Sequence, residues 1–154
     1  MFDFIEEHAK ANAAFHIACA ESLAKEANTL LTVLLAGAGA GFWYVIKLIE
    51  SGAERWLIAG MGSVVVYLFL LSGLTTWKCL WARPMYPPAN EPKNLNRPKH
   101  KIEGIRRAEL KNRQTCIDLN RDRNDSVGLW LNRCRFLTAG TPLVFAASVL
   151  AAYQ

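Results

Sequence analysis

The side chains of this 154-residue sequence that could carry chemistry are few and widely separated. Its histidines stand at positions 8, 16 and 100, and its cysteines at positions 19, 79, 116 and 134, with no C-x-x-C pair. Only His16 and Cys19 lie one helical turn apart, and two ligands do not make a metal site. No nucleophile stands beside a base. The sequence therefore predicts no catalytic residue, no metal site and no cofactor, and we expect a protein that is not an enzyme.

Three long apolar runs dominate the sequence instead. Residues 27–46, 56–77 and 136–154 contain no Asp, Glu, Lys or Arg. An α-helix rises ~1.5 Å per residue, so about 20 residues cross the ~30 Å hydrocarbon core of a bilayer. The runs predict transmembrane helices over about 27–49, 56–77 and 133–154, with burial inside a soluble protein as the alternative. The third contains Gly140 and Pro142, and the sequence leaves open whether it spans the bilayer or is re-entrant.

Small residues recur inside the first two apolar runs. Gly37, Gly39 and Gly41 lie in the first run, and Gly60 and Gly62 lie in the second. Glycines let two helices approach closely within a membrane. We expect these five residues to mediate helix packing. They can pack the hairpin of the two spans, or they can form an oligomer contact or a pore-lining face.

The uneven distribution of basic residues predicts an orientation in the membrane. Residues 78–135 contain fourteen Lys and Arg against six acidic residues, whereas the short segment 47–55 contains two of each. Basic residues near membrane ends favour the cytoplasmic side. We therefore expect a bacterial inner-membrane protein with a cytoplasmic N-terminus, an external turn between the first two spans and a periplasmic C-terminus.

The basic segment also has candidate contact residues. We expect Arg106, Arg107, Lys111 and Arg113 to contact a cytoplasmic partner, either a protein or a nucleoprotein. Clusters of Lys and Arg bind anionic lipid or nucleic acid as well. The alternative is that these residues only set the topology and keep the segment in solution.

The remaining segments complete an all-α plan. Residues 1–26 are predicted to form an amphipathic cytoplasmic helix, and residues 82–100 are predicted to form an extended linker because prolines recur there. Residues 101–132 regain a thin apolar stripe within a charged sequence and are predicted to form a basic cytoplasmic helix, able to pack on the first. The stripe contains Ile102, Ile105, Leu110, Ile117 and Leu119.

This arrangement resembles a known group of bacterial membrane proteins. The helix through Glu21–Lys25 that continues into 30–49, the ESGAER turn and the span ending at Trp77 are similar to SLATT-type two-span effectors of anti-phage systems and to their relatives in retron and cyclic-nucleotide systems. The resemblance is architectural and covers about the first 80 residues. The linker and the third span depart from the two-span plan.

The resemblance implies a dormant homo-oligomer that permeabilises or depolarises the inner membrane of an infected cell when it is triggered, as in abortive infection. Two other functions stay open. Phage holins are also small membrane proteins with up to three spans, and a non-catalytic scaffold or accessory subunit of a larger membrane complex has no need of a pore. No small-molecule substrate is expected in any of these cases.

Overall fold

The computed structural model describes residues 2–81, 84–87 and 101–153, and every regular element within these ranges is helical. Helix α1 covers Phe2–Glu50, and α2 covers Arg55–Thr75 and passes directly into a π-helical turn over Thr76–Leu80. Helix α3 covers Ile102–Ala139, and α4 covers Thr141–Tyr153. The predicted all-α fold class is confirmed.

The described residues divide into two compact units. The polar unit is formed within residues 1–23 and 82–126, and the apolar unit within residues 24–81 and 127–154. Helices α1 and α3 contribute residues to both units. Of the predicted linker, residues 84–87 have no regular structure, and the rest lies outside the described residues.

A four-residue turn joins α1 to α2. Gly52 adopts a φ of 68°, in the left-handed region that residues with a Cβ rarely enter. Its N–H donates to the carbonyl of Ile49 and that of Ala53 donates to the carbonyl of Leu48, so the last carbonyls of α1 are satisfied. The closing glycine thus ends α1 and lets the chain reverse into α2.

Helices α3 and α4 form a bent pair with a break at Gly140 and an angle of 46°. Pro142 has no N–H to continue the helical ladder, which explains a break just before it. The Thr141 hydroxyl donates to the carbonyl of Thr138 at 2.7 Å and partly replaces the missing bond. The basic helix predicted over 101–132 therefore continues into the third apolar segment, and the interruption lies at Gly140.

The lengths and compositions of the helices bear on membrane crossing. Asp3–Glu50 and Arg55–Leu80 are each long and apolar enough to span a bilayer, and the bent pair adds a third span if it crosses as one element. Many large apolar side chains of these segments are exposed, among them Val33, Phe42, Val66 and Leu70. Such a surface is compatible with lipid as the surrounding solvent.

Candidate functional site

Two of the five predicted packing glycines lie where α1 meets α2 in the apolar unit. A Cβ atom on Gly41 would lie 2.9 Å from Cγ2 of Val65, and one on Gly37 would lie 3.4 Å from Cδ1 of Leu68. Gly41 therefore permits a close approach of α1 and α2, and an alanine at this position would push the two helices apart. Both glycines are occupied by packing within the chain, so a bulky residue at either position would first disturb the hairpin.

Gly60 lies against α4. A Cβ atom there would lie 2.8 Å from Cγ2 of Val149 and 2.9 Å from Cε2 of Phe145. Packing of α2 on the third apolar segment therefore depends on the absence of a side chain at Gly60. The sequence predicted that Gly60 packs against a helix, but it did not indicate that this helix is α4.

Gly39 and Gly62 are different, because a Cβ atom on either would meet nothing within 4 Å. Gly39 is exposed on α1. Gly62 lines an open groove of about 560 Å³ that also includes Ser63 and Tyr67 of α2 and Val144 of α4. Of the predicted packing glycines, these two are the ones left open for contacts outside the chain.

The third apolar segment follows α2 in an antiparallel direction. The Cys79 sulfur lies 4.0 Å from the carbonyl oxygen of Val127, and the Tyr67 hydroxyl donates to the carbonyl of Leu137 at 2.8 Å. Further along, Gly60 meets Phe145 and Val149. The contacts between the two helical segments therefore extend from residue 79 to residue 60, which is about 29 Å of helix at ~1.5 Å per residue.

Basic and aromatic side chains cluster where α2 ends and the third segment begins. The Lys78 ammonium lies 3.9 Å from the ring centre of Trp77 and 5.0 Å from that of Trp130. The Arg133 guanidinium carbon lies 4.9 Å from the Trp130 ring centre. Nearby, Arg135 donates to Glu26 at 2.7 Å. We call Lys78, Trp77, Trp130 and Arg133 the interface cluster.

Three hydroxyl groups lie near this cluster, at the end of α2 and in the π-helical turn, and those of Ser72 and Thr75 are buried. Ser72 and Thr76 donate to the carbonyls of Leu68 and Ser72, four residues earlier in each case. Thr75 is fully buried, and its hydroxyl finds no hydrogen-bond partner among the described residues. A buried hydroxyl without a partner is unfavourable by roughly 1–3 kcal/mol. The end of α2 that becomes π-helical is therefore less well satisfied than the rest of the helix.

In the polar unit, the starts of α1 and α3 are joined by ion pairs. Arg106 donates to Glu6 at 2.7 Å and also to Asp3. Hydrogen bonding from Arg106, reinforced by its charge, holds the pKa of Asp3 below its ordinary value, and the same hydrogen bonding lowers the pKa of Glu6. The carboxylates in turn raise the pKa of Arg106.

The polar unit also contains a buried seam on α3. Arg113, Ile117, Asn120 and Asn124 are buried at successive spacings of four, three and four residues. This alternation is typical of helices packed as a coiled coil. The Asn124 amide donates to the backbone carbonyl of His16 at 2.8 Å, which places α1 and α3 side by side and parallel within the unit.

Asn120 binds the segment before α3 rather than α1. Its side-chain amide donates to the carbonyl of Tyr86 at 3.0 Å, and the N–H of Tyr86 donates to the Asn120 carbonyl oxygen at 3.2 Å. The two bonds imitate those that a neighbouring β-strand would make. A single buried side chain thus attaches residues 84–87 to α3.

The four basic residues predicted to contact a partner have different surroundings. Arg106 is engaged with Asp3 and Glu6, and Arg113 is buried with its guanidinium 3.5 Å from Glu109. Arg107 and Lys111 are exposed on α3. The structure therefore does not gather the four into one surface, and of the two that are engaged, Arg106 links α3 to the start of α1.

The thin apolar stripe predicted on α3 is only partly buried. Ile117 lies in the seam, whereas Ile102 and Leu119 are exposed. The sequence analysis did not single out Asn120 and Asn124, because it searched for apolar residues at helical spacing and these side chains are polar. Their signal was the 4-3-4 spacing, which α3 continues through Val127, Leu131 and Cys134.

Within the part of the chain that the structure describes, no three His, Cys, Asp or Glu side chains are grouped closely enough to hold a metal ion. His16 and Cys19 gain no further ligand there, and none of the four cysteines, all within the described ranges, forms a disulfide bond. No family model matches the chain, and neither any curated protein nor any solved structure matches it.

Proposed function

We propose that the protein is a membrane-perturbing effector of bacterial anti-phage defence, which oligomerises and permeabilises or depolarises the inner membrane when triggered. The first two spans contain no Asp, Glu, Lys, Arg or His over 27–46 and 56–77. An ion-coupled carrier usually places such a residue near mid-membrane. The composition therefore favours a protein that acts by helix rearrangement rather than by carrying a substrate.

The observation that carries this proposal is the outward position of Gly39 and Gly62. Gly39 stands on α1, and Gly62 lies in the groove of α2 and α4. These are two different surfaces of one chain. A contact between unlike surfaces on successive copies is head-to-tail and closes into a ring when the rotation allows it. A ring of this kind can enclose a pore.

The proposed topology follows from charge and from the path of the third segment. The polar unit is cytoplasmic in this arrangement, with Arg107 and Lys111 exposed to a cytoplasmic partner. The third segment accompanies α2 from Cys79 to Gly60, which supports a full crossing and a periplasmic C-terminus. The assignment to defence rests on the architectural resemblance of the first 80 residues alone.

The test is membrane potential in intact bacteria that express the full chain, with and without phage infection. We expect depolarisation only after infection, because the effector is dormant until triggered. G39I and G62I should abolish both the depolarisation and the cross-linked oligomers in membranes, since each places a branched side chain on an open contact face. A147I introduces the same side chain at an exposed position of α4 and should leave both unchanged.

The other functions have their own outcomes in this experiment. Depolarisation without infection would identify a holin-like pore former. The absence of depolarisation under any challenge, with intact oligomers, would identify a scaffold or accessory subunit. If both G39I and G62I assemble and depolarise the membrane as the wild type does, the helix surfaces at Gly39 and Gly62 do not mediate assembly.

A further inference from the structure

An open groove lies beside the interface cluster in the apolar unit. It measures about 690 Å³ and is formed by one face of α3, from Leu129 to Leu137. Its lining changes along the helix, because Asn132 and Arg133 are followed one turn later by Phe136 and Leu137. A phospholipid has the same polarity sequence, with a charged headgroup next to apolar chains.

Two basic side chains lie at the polar end of the groove, because Arg133 lines it and Lys78 contacts Trp130, which also lines it. Within the described ranges, neither Lys78 nor Arg133 forms an ion pair, and both are held at the faces of tryptophan rings. Glu26 of α1 pairs with Arg135, and both line a different groove. Two fixed cations without a counter-ion attract a phosphate oxygen, which accepts hydrogen bonds from both kinds of side chain.

The apolar end of the groove favours a lipid over a free anion. Phe136 is 81% exposed, and Leu137 is exposed beside it. An inorganic phosphate would leave these side chains uncovered, whereas an acyl chain would cover them. The ring faces of Trp77 and Trp130 suit the level of the headgroups, where amphipathic rings are enriched.

We propose that this groove binds an anionic phospholipid, with its phosphate between Lys78 and Arg133 and an acyl chain along Phe136 and Leu137. The inference rests on the proposed insertion in the membrane and adds a defined lipid partner to it. A zwitterionic lipid binds less well because its own cationic group meets the same two cations. The site joins the end of α2 to the start of the third span through a shared ligand.

The experiment is native mass spectrometry of the full chain in detergent, titrated with either phosphatidylglycerol or phosphatidylcholine of the same acyl composition. We expect the first phosphatidylglycerol to bind at least about fivefold more tightly, since one basic side chain near a membrane surface favours anionic lipid by roughly that factor. K78Q/R133Q should bring the two affinities within about twofold of each other. K78R/R133K keeps both charges and should restore the preference.

The matched control is K47Q/R55Q, which removes the same charge from residues beside the α1–α2 turn. It should keep the phosphatidylglycerol preference. Loss of the preference in this variant would mean that the preference depends on the total charge of the chain, and this would overturn the site. Equal affinity of the wild-type chain for the two lipids, or a preference that survives in K78Q/R133Q, would also overturn it.

Flotation of the wild-type chain with phosphatidylcholine vesicles separates the two proposals. A chain that floats but shows no lipid preference contradicts the lipid site alone. A chain that does not float contradicts membrane insertion, and the lipid site is overturned with it.

Discussion

Individual buried side chains determine how the polar unit is held together. Asn120 and Asn124 supply directional bonds in a seam where an aliphatic pair would supply only contact area. A polar residue at such a position specifies register at some loss of stability. Among the described side chains of α1 in this unit, the small residues Ala13 and Ala20 are the buried ones.

The ion pairs of Arg106 lead to a prediction about pH. Because the pKa values of Asp3 and Glu6 are lowered in the folded chain, their contribution to stability is fully present above the ordinary values of 3.8 and 4.5. It is lost as the pH falls through the lowered values and the carboxylates take up protons. We expect R106Q to speed amide hydrogen exchange in residues 3–10 near neutral pH, with no difference from wild type well below pH 3.8.

The control for this measurement is R121Q. Arg121 is exposed and lies 3.8 Å from Asp118 and 3.9 Å from Asp122, all on α3. Its replacement should leave exchange in residues 3–10 unchanged at every pH. A difference between R106Q and wild type that persists undiminished in acid would show that the carboxylates do not carry the effect.

At the scale of elements, α2 is the helix on which the others pack in the apolar unit. It meets α1 at Val65 and Leu68, and it meets the third segment at Tyr67 and Gly60. Two of its glycines differ in surroundings although they are only two residues apart. Gly60 is buried against α4, and Gly62 borders an open groove.

We therefore expect different effects from the same substitution at these two glycines. G60A places a Cβ atom within 3 Å of Val149 and Phe145 and should lower the free energy of unfolding by roughly 1–3 kcal/mol relative to G62A. Both variants gain the same helix propensity, so their difference isolates packing. Thermal or denaturant unfolding of the full chain in detergent, followed by circular dichroism, measures it. Equal stabilities would mean that α4 does not pack on Gly60 as closely as described.

The helical elements were largely predictable from the sequence, whereas their interruptions were not. In an apolar environment, a run of twenty residues without charge can form little except a helix. The helices over 27–46 and 56–77 were therefore predictable from the sequence. The break at Gly140 depends on Pro142. The proline is visible in the sequence, but the sequence does not show at which residue α3 ends before it. The π-helical turn at 76–80 has no sequence signal that we recognise.

The candidate sites were predictable only as groups of residues. The glycine runs indicated packing, but which faces are filled depends on the rotation of each helix, and this is set by neighbours such as Val65 and Phe145. Likewise, the basic run before the third span did not show that Arg113 would be buried or that Arg106 would reach Glu6. Those outcomes arise from contacts about a hundred residues apart along the chain.

At the scale of the whole molecule, the proposed topology has a direct test. Single cysteines are introduced into a chain whose four native cysteines are replaced by serine, and intact cells are treated with a membrane-impermeant maleimide. We expect S51C and Y153C to react in intact cells, because the proposed topology puts the α1–α2 turn and the end of α4 outside. K101C, an exposed position of the polar unit, should react only after the cells are permeabilised.

The labelling pattern separates the alternatives for the third segment. A re-entrant segment would leave Y153C unreactive in intact cells while S51C still reacts. Reaction of K101C in intact cells would reverse the orientation that the basic residues predict.

The bonds of Asn124 and Asn120 limit how the polar unit can move. Sliding α3 along α1 by a fraction of a turn would pull the Asn124 amide away from the His16 carbonyl and leave this buried amide without that partner. A full turn would have to pass before another backbone carbonyl came within reach. Displacement within this unit is therefore stepwise, as in a ratchet, and a stimulus too weak to complete one step leaves the helices where they began.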